Sequence, residues 1–119
     1  MTQKNDLTDI GIIMKPANNA PMYCAMYPSL AEICRSHGYA LAVHGTLARD
    51  FDMIAIPWVD NPSNPQAVVD TITSTHAVTE VGGAASIMKH NRLCYTLALY
   101  GEFFFDFSFM PLASAAKSI

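Results

Sequence analysis

The sequence predicts an α+β fold: a mixed, mostly antiparallel sheet of about five strands with two helices on one face. Three observations carry that expectation. Short apolar runs are bounded by glycine, proline and asparagine clusters, two other segments repeat apolar residues at helical spacing, and the order is strand, helix, strand, strand, helix, strand, strand. With 119 residues the chain has material for one core. Residues 10–119 are therefore expected to form a single domain behind a polar, flexible N-terminus at residues 1–9.

The first strand expected is IGIIM at 10–14, which stops at Lys15-Pro16, and the PANNAP stretch (16–21) follows as turn chemistry. A helix is expected from Pro28, with Ser29 as its cap and Leu30, Ile33 and Cys34 on one face. His37-Gly38 ends it, Gly38 suiting the left-handed position past a C-terminus. YALAVHG is a buried strand broken at Gly45, and FDMIAIPWV is a second, closed by Pro57 and the NPSNP stretch; so short a connection makes the pair antiparallel. Asn64 or Ser63 opens a second helix with Pro65 in its first turn and Ala67, Val68 and Ile72 as the inward stripe up to about Thr75. VGGAAS reads as a flexible or turn-forming linker because Gly82-Gly83 lacks side-chain constraint. RLCYTLALY and EFFFDFSFM then form a hairpin around Gly101-Glu102. The aromatic run of Phe103, Phe104, Phe105, Phe107 and Phe109 reads as core and interface, since an exposed edge so apolar would aggregate.

Composition narrows the partners. Hydrophobic residues are 51% of the chain and charged residues 14%, so part of the apolar surface is expected to end in a homodimer interface. A net charge of -3 supplies no broad cationic field, which argues against a general nucleic-acid surface. Cys24, Cys34 and Cys94 form no CxxC pair and read as reduced core thiols of a cytoplasmic protein. MTQKNDLTD lacks the basic and apolar regions of a secretory signal, and no apolar run approaches the ~20 residues that span a bilayer. No P-loop, dinucleotide fingerprint, HExxH or nucleophile elbow is present. VHGT and THAV faintly resemble the paired HxT motifs of two-histidine phosphodiesterases, and only the first keeps the spacing.

The chemistry-bearing residues are acids set inside apolar strands. Alternate residues of a strand share a face, so Asp50 and Asp52 project to one side with Phe51 on the other, and Asp106 stands between Phe105 and Phe107. A buried carboxylate costs several kcal/mol unless a cation, a metal or donors compensate, and three gathered on one face also repel each other. Mg²⁺ relieves both costs, since it prefers carboxylate oxygens and keeps water or phosphate in its other positions. The same acids can also serve structure alone, Asp50 accepting backbone N–H bonds in a turn and Asp106 pairing with Arg92 or Arg49. His44 can contact phosphate or act as a base, or simply end a strand; Arg49 can clamp an anionic ligand or remain solvated. Trp58 reads as core filling before base stacking, and Lys89 and Arg92 as phosphate contacts or solubilising charges.

The run Gly45-Thr46, then Asp50-Phe51-Asp52-Met53, then Phe105-Asp106-Phe107 resembles the pattern of the nucleotidyltransferase superfamily, the polymerase-beta-like fold. The resemblance implies a nucleotidyltransferase-like domain in which Asp50 and Asp52 hold Mg²⁺ on nucleotide phosphates. It also implies that Asp106 serves a second metal and the attacking hydroxyl, and that Gly45-Thr46 cradles phosphate. Here only Leu47, Ala48 and Arg49 separate the turn from the first acid, where that family has a short helix. A second resemblance, over residues 37–111, is to small proteins of tailed phages and prophages with an HGS or HGT strand end, an RDxDLIAxPW segment and a DLSxMP strand. Its counterparts are His44-Gly45-Thr46, the run from Arg49 to Trp58, and the run from Asp106 to Pro111. Two functions follow as expectations. One is a Mg²⁺-dependent nucleotide-binding protein, catalytic or a remnant, with Asp50, Asp52 and Asp106 as metal ligands and His44, Gly45, Thr46, Arg49 and Arg92 on the ligand. The other is a non-catalytic phage accessory protein that binds a host protein or sequesters a nucleotide signal.

Overall fold

The structure, a computed structural model, describes residues 18–112, and of residues 83, 84 and 89 the backbone alone. Its elements run α1 (Ala20–Ser36), β1 (Tyr39–His44), β2 (Asp50–Pro57), α2 (Pro65–Thr75), β3 (Val78–Ile87), β4 (Leu93–Leu99) and β5 (Phe103–Phe109), with a 3-10 turn at Lys89–Asn91. The strands form one sheet in the order β1-β2-β5-β4-β3, in which β2 and β5 run parallel and the other neighbours antiparallel. The α+β class and the mixed, mostly antiparallel sheet are as expected. The strand anticipated at 10–14 lies outside the described residues, and the fifth strand comes instead from residues 78–87.

The core follows from strand alternation. Phe51, Met53 and Ala55 of β2, Phe105, Phe107 and Phe109 of β5, and Tyr95, Leu97 and Leu99 of β4 are buried in one cluster with Tyr23, Leu30 and Cys34 of α1 and Val68, Val69 and Ile72 of α2. Both helices therefore cover the same face, and the opposite face carries no helix among the described residues. At the centre Tyr23 stacks on Phe51 with ring centroids 4.8 Å apart, and Phe105 meets both rings edge-on. Such pairs add to the area they bury. The run FFFDFSF belongs to the middle strand of the sheet and makes no exposed edge: Phe103, Phe105, Phe107 and Phe109 face the helices, while Phe104 shares the opposite face with Asp106.

Several local expectations are corrected. The first helix begins at Ala20, not Pro28, and Pro28 lies inside it on the exposed side. An interior proline costs about 3 kcal/mol, yet the apolar stripe of Tyr23, Met26, Tyr27, Leu30 and Cys34 is continuous across it, and burying each large side chain contributes about 1.5–3 kcal/mol. Packing outweighs the broken backbone bond. Residues of VGGAAS belong to β3, where the pairing shifts between Val81 and Ser86 and Gly82 takes a φ of 83°. The glycines make a bulge in a strand and do not end it. The last hairpin turns one residue earlier than expected, on Tyr100 and Gly101, whose φ values of 56° and 72° match the primed turn that suits strand twist. Trp58, expected in the core, is 78% exposed: its backbone N–H donates to the Gly38 carbonyl at 2.9 Å while the ring leaves the sheet past Pro57. Of the three free cysteines only Cys34 is fully buried, its thiol pushed up to about 12 by that burial, and Cys24 is exposed.

Other expectations match. Asn64 Oδ1 accepts the Gln66 N–H at 2.9 Å and Pro65 opens α2, while Gly38, with φ 91°, follows α1. Replacing Phe51 by Ala is expected to destabilise the protein by about 3–5 kcal/mol in urea unfolding, because it empties the centre of the ring cluster. Val43→Ala, on a 43% exposed residue of the edge strand, is expected to change stability by less than about 0.5 kcal/mol. Similar losses at the two positions would contradict this account of the core.

Candidate functional site

The uncovered face is organised in rows across the strands. Register aligns His44, Asp52, Asp106 and Thr96 in one row and Ala42, Ile54, Ser108 and Cys94 in the next. These residues alternate with the buried Phe51, Met53, Phe105 and Phe107, so they point away from the helices. His44, Asp52, Asp106 and Thr96, with Ser108, Cys94, Met88 and Arg92, line a cleft of about 370 Å³. A larger cleft, about 540 Å³, lies elsewhere, between α1 and β1, and includes Tyr27, Tyr39 and Trp58 but no acid. Titratable groups converge on the smaller one, and the chemistry is assigned there.

The structure brings two of the three expected acids together. Asp52 and Asp106 are direct partners on parallel strands. Asp50 sits opposite Phe104, one row nearer the β1–β2 turn, exposed and outside the cleft lining; a row is about 6.6 Å of strand rise. The Asp106 carboxyl is held above the usual carboxylate range, first by burial, then by its hydrogen bond with Asp52 and by the Asp52 charge, against a smaller opposing effect of His44. Burial and the neighbouring Asp52 thus both favour the neutral form of the Asp106 carboxyl when no cation is near. Among the described residues no group of three or more His, Cys, Asp or Glu side chains is arranged to hold a metal ion. What the donor set fits is a cation bound by two carboxylates that leaves its other positions to water or phosphate, the way Mg²⁺ is commonly held.

The turn before β2 is built to approach Asp52 closely. Gly45 has a φ of 80°, and a Cβ added there would stand 2.8 Å from Asp52 Oδ2. Only glycine combines that backbone with the absence of a side chain over the carboxylate. Thr46 Oγ1 accepts the Ala48 N–H at 3.3 Å, and Leu47 also takes positive φ, at 62°. The N-terminal end of α1 fixes the loop: the Asn19 N–H donates to the Ala48 carbonyl at 2.8 Å and the Tyr23 hydroxyl to the Arg49 carbonyl at 2.5 Å. Arg49 is exposed at this turn and does not line the cleft. Arg92 does line it, and its Nη1 donates to Ser108 Oγ at 3.2 Å, whose hydroxyl in turn donates to the Met53 carbonyl at 3.2 Å.

Sequence reasoning missed Ser108, Cys94, Thr96 and Met88. Ser108 was within reach, because it is two residues from Asp106 on the same strand; it is a polar residue only 2% exposed, ordered under Arg92. The Cys94 thiol is pushed up by burial and by the Asp106 charge, which makes it a poor nucleophile. Comparison with family models, curated proteins and solved structures gives no match for this chain. Among the described residues no helix is long and apolar enough to cross a membrane.

Two outcomes are expected. A group whose folded pKa is raised contributes stability that is present below its ordinary pKa and lost as pH rises through the folded value. In metal-free buffer Asp106→Asn should therefore melt above the unsubstituted protein at pH 7.5, with the gap closing as pH falls towards 4 in a thermal melt. Gly45→Ala should cost about 1–3 kcal/mol, because it combines positive φ with the contact on Asp52. Adding Asp52→Ala should recover only the contact part, a non-additivity that a double-mutant cycle measures.

Proposed function

We propose that this protein binds a nucleotide on the uncovered face of its sheet, with Asp52 and Asp106 holding Mg²⁺ against the nucleotide phosphates, as a small nucleotidyltransferase-like domain of the phage type. The observation that carries this reading is the direct pairing of Asp52 with Asp106 beside a glycine whose missing side chain leaves the carboxylate open. A divalent cation between the two acids would offset the charge that holds Asp106 above the usual carboxylate range, and their mutual repulsion would become shared attraction. Mg²⁺ bound there would neutralise phosphate charge and fix the polyphosphate in place.

The chain's own residues supply the rest. His44 closes the row on the β1 side and Arg92 stands across the cleft, each able to donate to a phosphate oxygen. Asp50, one row nearer the turn, extends the acidic strip toward Arg49. Binding, more than turnover, is the activity this geometry supports, because the loop between Thr46 and Asp50 is a tight turn stitched to α1. A protein that sequesters a nucleotide signal would use the same groups.

Thermal melts with Mg²⁺ or Mn²⁺ and each of the four ribonucleoside triphosphates test this. Metal and nucleotide together should raise the melting temperature more than either alone; a ligand at 100 times its Kd stabilises by about 2.7 kcal/mol. Asp52→Asn and Asp106→Asn should fold and lose that increment. A shift that needs no divalent ion, or survives both substitutions, returns the acids to a structural role.

A further inference from the structure

A second cleft of about 370 Å³ lies on the same face, lined by Ile54, Ile56, Pro57, Met110 and Pro111. None of these side chains carries a charge or a hydrogen-bonding group. Ile54 and Ile56 share the face of Asp52, since Phe51, Met53 and Ala55 between them are buried against the helices. On β5 the residue two beyond Asp106 is Ser108, paired with Ile54, and Met110 follows it with its N–H on the Ala55 carbonyl at 2.9 Å. Reading along β2 and β5, the surface passes from Asp52 and Asp106 to Ile54 and Ser108, then to Ile56 and Met110. The polar cleft and the apolar cleft meet at the middle row. Two rows are about 13 Å of strand rise, a span that an extended nucleoside triphosphate covers between its phosphates and its base.

We propose that the cleft of Ile54, Ile56, Pro57, Met110 and Pro111 seats the base of the bound nucleotide and holds it without reading its identity. This rests on the nucleotide reading above and adds the ligand's orientation and its specificity. Apolar walls take either face of a base, and Met110 can adapt to rings of different size. Strong discrimination needs buried polar groups that a wrong ligand leaves unpaired, whereas an apolar pocket separates ligands only by size, by about 10–200-fold per missing group. No side chain here can pair with a base edge, and the Met110 N–H is already engaged. The phosphates and the metal thus supply selection for a triphosphate, and the base adds contact area that favours purines modestly.

The test compares Mg²⁺-dependent binding of ATP, GTP, CTP, UTP and inorganic tripolyphosphate by calorimetry, for the protein and for Ile56→Ser and Met110→Ala. Ile56 is 38% exposed, so Ile56→Ser is expected to fold, as a melt checks, and Met110→Ala probes the same cleft from the other strand. The four nucleotides should bind within about tenfold of one another and more tightly than tripolyphosphate. Each substitution should weaken all four by about fivefold and leave tripolyphosphate unchanged. Three results overturn the proposal while sparing the nucleotide reading: tripolyphosphate binding as tightly as the nucleotides, substitutions that leave the nucleotides untouched, or one base preferred by more than about a hundredfold. If neither tripolyphosphate nor any nucleotide binds with Mg²⁺, both fall together.

Discussion

The parallel register of β2 against β5 is the constraint on which everything else rests. It sets Phe51 beside Phe105 on one side of the sheet and Asp52 beside Asp106 on the other. A slip of one residue would turn both sets over, burying acids under the helices and exposing phenylalanines. The aromatic cluster under Tyr23 thus specifies the position of the carboxylates. In this sense the core is what places the acids, and the acids themselves oppose the pairing through their repulsion.

The same logic explains the two-sided character of the sheet. On the helix side, rings from α1, β2 and β5 interlock, and that side supplies the cohesion. On the bare side the residues are small, polar or half-exposed, and they contribute little to stability individually. The β1–β2 turn ties the two sides together, because Asn19 and Tyr23 of α1 grip the carbonyls of Ala48 and Arg49 while Gly45 lies against Asp52. The start of the first helix therefore shapes the rim of the site on the opposite face.

Much of this was legible from residues alone. Alternation around Phe51 and around Phe105–Phe107 announced which side each acid would take, and Asn64-Pro65 announced the second helix. What escaped had physical causes. Pro28 reads as the start of a helix because the cost of an interior proline is local, while the compensation, burial of Tyr23 against Phe51, is long-range. Gly82-Gly83 reads as slack because a bulge is defined by a partner strand that the sequence does not name. Trp58 reads as core by size, yet its place past Pro57 carries it off the sheet. The convergence of Asp52 with Asp106, and the step that leaves Asp50 one row away, depend on which strand lies next to β2. Local patterns do not encode that adjacency; it required the crossover through α2, β3 and β4.

That crossover has a kinetic corollary. The β4–β5 hairpin closes over a three-residue connection, Tyr100 to Glu102, and can form within itself, whereas the bond from the Ser108 hydroxyl to the Met53 carbonyl joins positions 55 apart in sequence. Closing so long a loop costs more entropy than closing a hairpin, and pairings of this kind arrive late in folding. Until β2 joins β5, Asp52 and Asp106 stand on separate strands, so the acidic pair is completed by the same contact that completes the sheet.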